Sequence, residues 1–108
     1  GNLKYARRNE HLFNIIEGLR KDYHLAVVTT ASKKNVTDIL TFFGVQDLFE
    51  FIITQEDITR PKPDPEGFLK AMNHFGINPE NTVIFEDADV GIEAAKRSGA
   101  AVFKVEKF

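Results

Sequence analysis

Hydroxyl, ammonium and carboxylate side chains follow three separate segments of this sequence. Thr29 and Thr30 end the apolar run LAVVTT, Lys62 lies in the proline-rich loop RPKPDP, and Glu86 and Asp87 follow the apolar run TVIF. Hydroxyl and backbone N–H groups bind phosphate oxygens, an ammonium group neutralises phosphate charge, and carboxylates hold a hard divalent cation such as Mg²⁺. Together these residue types suit a site for a phosphate ester and Mg²⁺.

Each of these residues also has a simpler structural explanation when it is taken alone. A threonine at a strand end is common, and a lysine in a polar loop is usually solvated. Two adjacent acids after a buried strand are harder to explain, because burying a charge is costly unless a metal or a basic group compensates it. Asp89, by contrast, is better explained as the N-cap of a helix. The site prediction therefore depends on the combination of residues.

Apolar periodicity predicts four helices that alternate with four short strands. The strands are the apolar runs 25–29, 51–54, 82–85 and 101–105, and the helices span about 9–21, 33–43, 65–75 and 89–98. Ser32 and Asp64 are candidate N-caps, and Pro65 suits the first turn of the third helix. Glycines that suit a left-handed helix end follow the last three helices, at Gly44, Gly76 and Gly99.

This alternation favours an α/β fold, a Rossmann-like doubly wound parallel sheet in a three-layer α/β/α core. In open parallel sheets, ligands bind beyond the carboxyl ends of the strands. The threonines, Lys62 and the acidic pair all follow such strand ends in the sequence. We therefore expect these side chains to converge on one rim of the sheet.

Length and composition indicate one globular domain over residues 1–108, with 1–8 an irregular N-terminal segment and 9–108 the core. The chain has 108 residues, of which 43% are hydrophobic and 28% charged, and a formal net charge of -2. No basic stripe suggests nucleic-acid binding. The absence of cysteine excludes disulfides and thiolate metal sites. No apolar run approaches the roughly 18 residues of a membrane span, so the expected location is the cytoplasm.

Three segments resemble motifs of the haloacid dehalogenase (HAD) superfamily of hydrolases, in particular its β-phosphoglucomutase and phosphoglycolate phosphatase-like group. LAVVTTAS resembles the second motif of the family, RPKPDPEGF the third, and VIFEDADVGIEAAKRSG the fourth. The resemblance implies an HAD-like fold. It also implies a Mg²⁺-dependent phosphatase or phosphomutase that acts on a small phosphorylated metabolite through an aspartyl-phosphate intermediate.

The resemblance also implies a role for each candidate residue. Thr29 corresponds to the phosphate-binding hydroxyl, and Thr30 to the adjoining backbone contact. Lys62 corresponds to the phosphate-binding lysine. Lys62 and Thr29 also correspond to catalytic residues of the family. Glu86 and Asp87 correspond to the metal-binding acids.

The sequence departs from the family pattern in two respects. Ala88 stands where a serine is frequent in this group, which removes a hydroxyl near the metal. The first family motif, an Asp-x-Asp that supplies the nucleophile and the general acid/base, has no counterpart, because residues 1–8 contain no aspartate. The cap domain that selects the substrate in this family is likewise missing. We therefore expect these 108 residues to be inactive alone and their substrate to be unspecified.

In the family, the strand of the first motif lies between the strands that here end at Thr29 and Phe85. Three arrangements are compatible with its absence: the two neighbours pair directly, a second copy fills the gap by self-association or swapping, or the sequence is part of a longer chain. The third is favoured, because runs 25–29 and 82–85 keep the composition of buried strands.

Two other functions remain open. One is a non-catalytic HAD-like module that binds a phosphate-bearing ligand or partner. The other is a flavodoxin-like binding domain in which the acids are incidental.

Overall fold

The structure, a computed structural model, describes residues 10–106, apart from the side chains of residues 12 and 13. In this part of the chain four helices alternate with four strands, as predicted. They are α1 (Glu10–Leu19), β1 (Ala26–Val28), α2 (Lys33–Phe42), β2 (Phe51–Ile53), α3 (Glu66–Phe75), β3 (Val83–Glu86), α4 (Asp89–Ser98) and β4 (Ala101–Lys104). The predicted irregular segment 1–8 lies outside the described residues. No helix among residues 10–106 is long and apolar enough to cross a membrane.

The ends of α2, α3 and α4 follow from local sequence signals. Ser32 caps α2, since its hydroxyl accepts a hydrogen bond from the Asn35 N–H at 3.1 Å. The predicted left-handed glycines are confirmed, with φ of 68° at Gly44, 67° at Gly76 and 89° at Gly99. A side chain at such an angle is strained, so glycine is preferred at these helix ends.

The predicted start of α3 is wrong by one residue, whereas α4 begins at Asp89 as predicted, although Asp89 is not its N-cap. Helix α3 begins at Glu66 with Pro65 as its N-cap, and the Asp64 carboxylate accepts a hydrogen bond from the Glu66 N–H at 2.9 Å. Helix α4 has Ala88 as its N-cap, and Asp89 is its first residue. An acid in the first turn still interacts favourably with the helix dipole, so composition alone does not separate these two positions.

The strands form two parallel pairs. Strand β1 pairs with β2, with Ala26 opposite Phe51, and β3 pairs with β4, with Val83 opposite Ala101. The predicted α/β class with parallel pairing is confirmed. Among residues 10–106, β1 and β3 share no hydrogen-bonded ladder. Direct pairing of these two strands is therefore not the arrangement that the chain adopts.

Within residues 10–106 the core consists of two apolar clusters, and residues of both strand pairs pack against them. The first contains Ile16, Val36, Leu40, Val45 and Leu48. The second contains Phe68, Met72, Ile84, Ala94 and Ala95. Val28 of β1 packs against this second cluster, which also contains Ile84 of β3. Burial of both strands against α3 and α4 therefore holds β1 near β3 without a hydrogen-bonded ladder.

Helix α3 approaches β1 closely because Gly67 has no side chain. A Cβ atom at Gly67 would lie 2.7 Å from the Val28 Cγ1 atom, which is shorter than a normal van der Waals contact. This contact places the loop before α3 at the carboxyl end of β1, and that loop carries Lys62.

Candidate phosphate and metal site

Lys62 links the carboxyl ends of the two strand pairs. Its Nζ atom donates hydrogen bonds to the Val28 carbonyl at the end of β1, at 3.1 Å, and to the Glu86 carboxylate at the end of β3, at 3.2 Å. The exposed fraction of the side chain is 13% for Lys62 and 10% for Glu86. The ammonium also lies 5.0 Å from the centre of the Phe68 ring, within the range of a cation–π interaction. The structure thus brings together two groups that the sequence analysis placed on one rim.

The Glu86 carboxylate is held on three sides. One oxygen accepts hydrogen bonds from the Asp87 and Ala88 N–H groups, each at 3.3 Å, and the other pairs with Lys62. The third side is Gly91 in α4, where an added Cβ would lie 2.1 Å from the Glu86 Cδ atom. The carboxylate therefore occupies the space that any other residue at position 91 would need.

Asp87 differs from Glu86, because it is exposed to solvent. No group of three or more His, Cys, Asp and Glu residues that could hold a metal occurs among residues 10–106. Mg²⁺ is commonly bound by only one or two protein carboxylates, and water and substrate phosphate complete its shell. Asp87 fits this requirement as a ligand. Glu86 is engaged with Lys62, and the metal-binding role that the resemblance implies for it stays a prediction.

The two threonines lie at the same rim as Lys62. Thr29 is partly buried, and its hydroxyl accepts a hydrogen bond from the Ala31 N–H at 3.1 Å. Thr29 and Thr30 line one small cavity together with Arg60 and Lys62. A hydroxyl that accepts one bond can still donate its own proton to a phosphate oxygen. The phosphate-binding roles of these residues remain predictions, although their placement is compatible with them.

Glu66, which the sequence analysis did not single out, anchors the loop that carries Lys62. Its carboxylate accepts hydrogen bonds from the Thr59 N–H at 3.0 Å, the Thr59 hydroxyl at 2.9 Å and the Arg60 N–H at 2.8 Å. It also pairs with Lys70 at 3.2 Å. These groups, above all the Thr59 N–H, lower the pKa of Glu66 to about 2, although desolvation opposes the shift. The sequence signal that could have identified Glu66 is its position as an acid at the start of the helix that follows the loop.

Comparison with known proteins identifies similar chains. The sequence pattern of the Haloacid dehalogenase-like hydrolase family matches residues 3–105. A curated relative, validoxylamine A 7'-phosphate phosphatase of Streptomyces hygroscopicus subsp. limoneus, is 41% identical over 75 residues, which are 69% of this chain and 35% of the relative.

Two solved structures show the same fold. A HAD-superfamily hydrolase of subfamily IA from Geobacter sulfurreducens has a TM-score of 0.88 and 26% identity, over 97% of this chain and 54% of that one. A predicted phosphoglycolate phosphatase from Haemophilus somnus has a TM-score of 0.85 and 33% identity, over 94% of this chain and 46% of that one. The chain therefore spans about half of these structures, and 35% of the curated relative.

Proposed function

The chain belongs to the haloacid dehalogenase-like hydrolase family, and on that basis we propose that the full-length protein is a Mg²⁺-dependent phosphatase or phosphomutase. Its substrate is a small phosphorylated metabolite. Thr29, Thr30 and Lys62 bind the phosphate group, and Asp87 contributes to the metal site with Glu86 beside it. The cytoplasm is the proposed location.

The position of the Lys62 ammonium carries this proposal. It lies where the carboxyl ends of β1 and β3 come together, within 3.2 Å of the Glu86 carboxylate. A cation with a low exposed fraction acts on a phosphate oxygen in a medium of reduced dielectric constant, which strengthens the attraction. The Glu86 carboxylate keeps the ammonium in place before a phosphate arrives, so little reorganisation is needed.

The residues around the metal position have a distinct task. Bound Mg²⁺ would neutralise phosphate charge and polarise the phosphoryl group. Asp87 is the exposed acid at this position, and the N–H groups of Asp87 and Ala88 hold the Glu86 carboxylate next to it. At this rim Asp87 thus offers an exposed carboxylate to a cation, and Lys62 offers an ammonium group to a phosphate.

The nucleophile in this proposal is an aspartate from an Asp-x-Asp segment upstream of α1. Its carboxylate oxygen attacks the phosphorus atom, the bond from phosphorus to the substrate oxygen breaks, and that oxygen receives a proton from the second aspartate. Water then cleaves the aspartyl-phosphate in a phosphatase, or a sugar hydroxyl accepts the phosphoryl group in a phosphomutase. Residues 1–22 of this chain hold one aspartate, Asp22, which follows α1.

We expect no hydrolysis of p-nitrophenyl phosphate by a polypeptide of these 108 residues in the presence of Mg²⁺, because residues 1–22 contain no Asp-x-Asp segment to supply the nucleophile. A longer form with an upstream Asp-x-Asp should hydrolyse the ester, and Asp87→Asn in that form should abolish most of the activity. Release of p-nitrophenol measures both. If the 108-residue polypeptide hydrolyses the ester and Asp87→Ala abolishes that hydrolysis, the nucleophile lies within these 108 residues.

We also expect weak, saturable binding of Mg²⁺ at Asp87 without any substrate, because one exposed carboxylate provides part of an octahedral shell. Titration with MgCl₂ followed by NMR should shift the amide signals of residues 86–88. Asp87→Asn should remove these shifts. Asp89→Asn is the matched control, since Asp89 is also exposed and belongs to the first turn of α4. Equal losses in both variants would point to non-specific attraction of the cation.

A non-catalytic module that binds a phosphate-bearing ligand or partner is the second candidate. The preformed contact between Lys62 and Glu86 supports such a binding module as well as it supports an enzyme, because phosphate binding at this contact needs no nucleophile. The two functions separate in the longer form of the protein. A module binds inorganic phosphate but releases no p-nitrophenol, whereas an enzyme does both.

A further inference from the structure

A network of hydrogen bonds on one carboxylate determines the path of the loop before α3. Glu66 is the first residue of α3, and its side chain folds back along the loop to meet the N–H groups of Thr59 and Arg60. The exposed fraction of its side chain is 17%. A carboxylate with two backbone donors, one hydroxyl donor and one ammonium partner is well satisfied, and charge-assisted hydrogen bonds of this kind are stronger than neutral ones.

The loop is anchored at its other end by the same residue. The backbone N–H of Glu66 donates to the Asp64 carboxylate at 2.9 Å, and the Asp64 N–H donates to the Pro61 carbonyl at 3.0 Å. Glu66 therefore holds the chain on both sides of Lys62, through its side chain before the lysine and through its backbone after it.

The segment between these anchors is stiff. Lys62 stands between Pro61 and Pro63, and a proline ring restricts φ to about -65°. Few torsions are left to absorb a displacement of Arg60 before it reaches Lys62. The position of the Arg60 N–H is therefore transmitted to the Lys62 backbone, from which the side chain reaches Val28 and Glu86.

Lys70 extends the network to the start of the loop. Its ammonium, one helical turn after Glu66, pairs with the Glu66 carboxylate and donates to the Asp57 carbonyl at 2.7 Å. The Asp57 carboxylate in turn accepts from the Thr54 N–H at 2.8 Å, directly after β2. The loop is thus tied to the end of β2 as well as to α3.

We propose that Glu66 is a positioning residue, whose carboxylate holds the loop of residues 58–65 in the conformation that delivers the Lys62 ammonium to the ends of β1 and β3. The use of Lys62 for phosphate binding rests on the proposed function, whereas the positioning itself does not. Glu66 touches neither the phosphate nor the metal position in this assignment. It acts through Lys62.

Chemical labelling of lysines tests the proposal without any assay of activity. The intact protein is treated with limiting acetic anhydride, and acetylation of Lys62 is measured by mass spectrometry relative to Lys34, whose side chain is 84% exposed. In Glu66→Gln one carboxylate oxygen becomes an NH₂ group, which cannot accept a hydrogen bond and faces a donor of Thr59, Arg60 or Lys70, so the loop should loosen. The relative labelling of Lys62 should then rise by roughly threefold to tenfold, the change expected for the loss of a hydrogen bond or two.

The matched control is Glu93→Gln on α4. Glu93 pairs with Arg97 one turn later at 3.1 Å, as Glu66 pairs with Lys70, but its side chain is 50% exposed. It should leave Lys62 labelling unchanged. Labelling is carried out under conditions in which circular dichroism shows that each variant is folded. A general loss of stability is then not mistaken for a specific change in Lys62 acetylation.

Unchanged Lys62 labelling in folded Glu66→Gln, or an equal rise in Glu93→Gln, would overturn the proposal. If Glu66→Gln does not fold, Thr59→Val replaces it, because this variant removes only the hydroxyl bond to Glu66. A smaller rise in Lys62 labelling then supports the positioning role, and no rise contradicts it. Protection of wild-type Lys62 by inorganic phosphate is measured separately. That arm tests only whether Lys62 binds phosphate, as the proposed function requires, so the failure of one idea is distinguishable from the failure of the other.

Discussion

Replacement of Gly91 by alanine is expected to lower the free energy of unfolding by about 3 kcal/mol, at the upper end of the usual cost of overpacking. The added Cβ would lie 2.1 Å from the Glu86 Cδ atom and 2.5 Å from its Oε1 atom. Glu86 must then leave its place, and its contact with Lys62 is broken while both side chains are still largely buried. Urea denaturation followed by circular dichroism measures the change.

Gly18→Ala is the matched control for this prediction. Gly18 lies in α1, and no atom of the described residues is within 4 Å of a Cβ added there. Alanine in a helix interior is favoured over glycine by roughly 0.5–1 kcal/mol, so this variant should be slightly more stable than the wild type. If Gly91→Ala unfolds at the same urea concentration as the wild type, the conclusion that Glu86 packs closely against α4 is contradicted.

Lys62→Met is expected to destabilise the protein by about 3 kcal/mol, because it leaves the Glu86 carboxylate largely buried without its cation. Glu86→Gln should destabilise it for the complementary reason. The double variant should recover part of the loss, since it contains neither charge. A double-mutant cycle based on urea denaturation measures this coupling between the two residues.

The pair of Lys34 and Asp38 provides the comparison for Lys62→Met. These residues are also within hydrogen-bond distance, at 3.0 Å, but their side chains are 84% and 53% exposed. Water screens such a pair, so Lys34→Met should cost no more than about 0.5 kcal/mol. A cost for Lys62→Met as small as that of Lys34→Met would mean that solvent also reaches the Lys62 site.

Local sequence patterns were sufficient for the elements of this fold. The apolar runs around Val27 and Ile84 predicted the strands, and Gly44, Gly76 and Gly99 predicted three helix ends. The N-caps predicted at Asp64 and Asp89 were each displaced by one residue, because an acid stabilises an N-cap and a first turn by similar amounts. These signals depend on residues that are close to one another in the sequence. They can therefore be recognised without knowledge of the tertiary structure.

The contacts at the site have a different origin. Lys62 and Glu86 are separated by 24 residues, and Gly91 supports the pair from a third element. Glu66 was missed because its importance comes from the backbone groups of Thr59 and Arg60, which have no signature in the sequence.

The amino-acid sequence by itself determined the order of helices and strands, the rim on which polar groups were to be expected, and the family resemblance of three motifs. Tertiary structure alone decided that the strands form two pairs, that Lys62 joins their ends, and that Glu86 faces the lysine while Asp87 faces solvent. The physical reason is the range of the interactions. Helical and strand periodicity is encoded within one segment, whereas a buried ion pair depends on how separate segments pack in three dimensions.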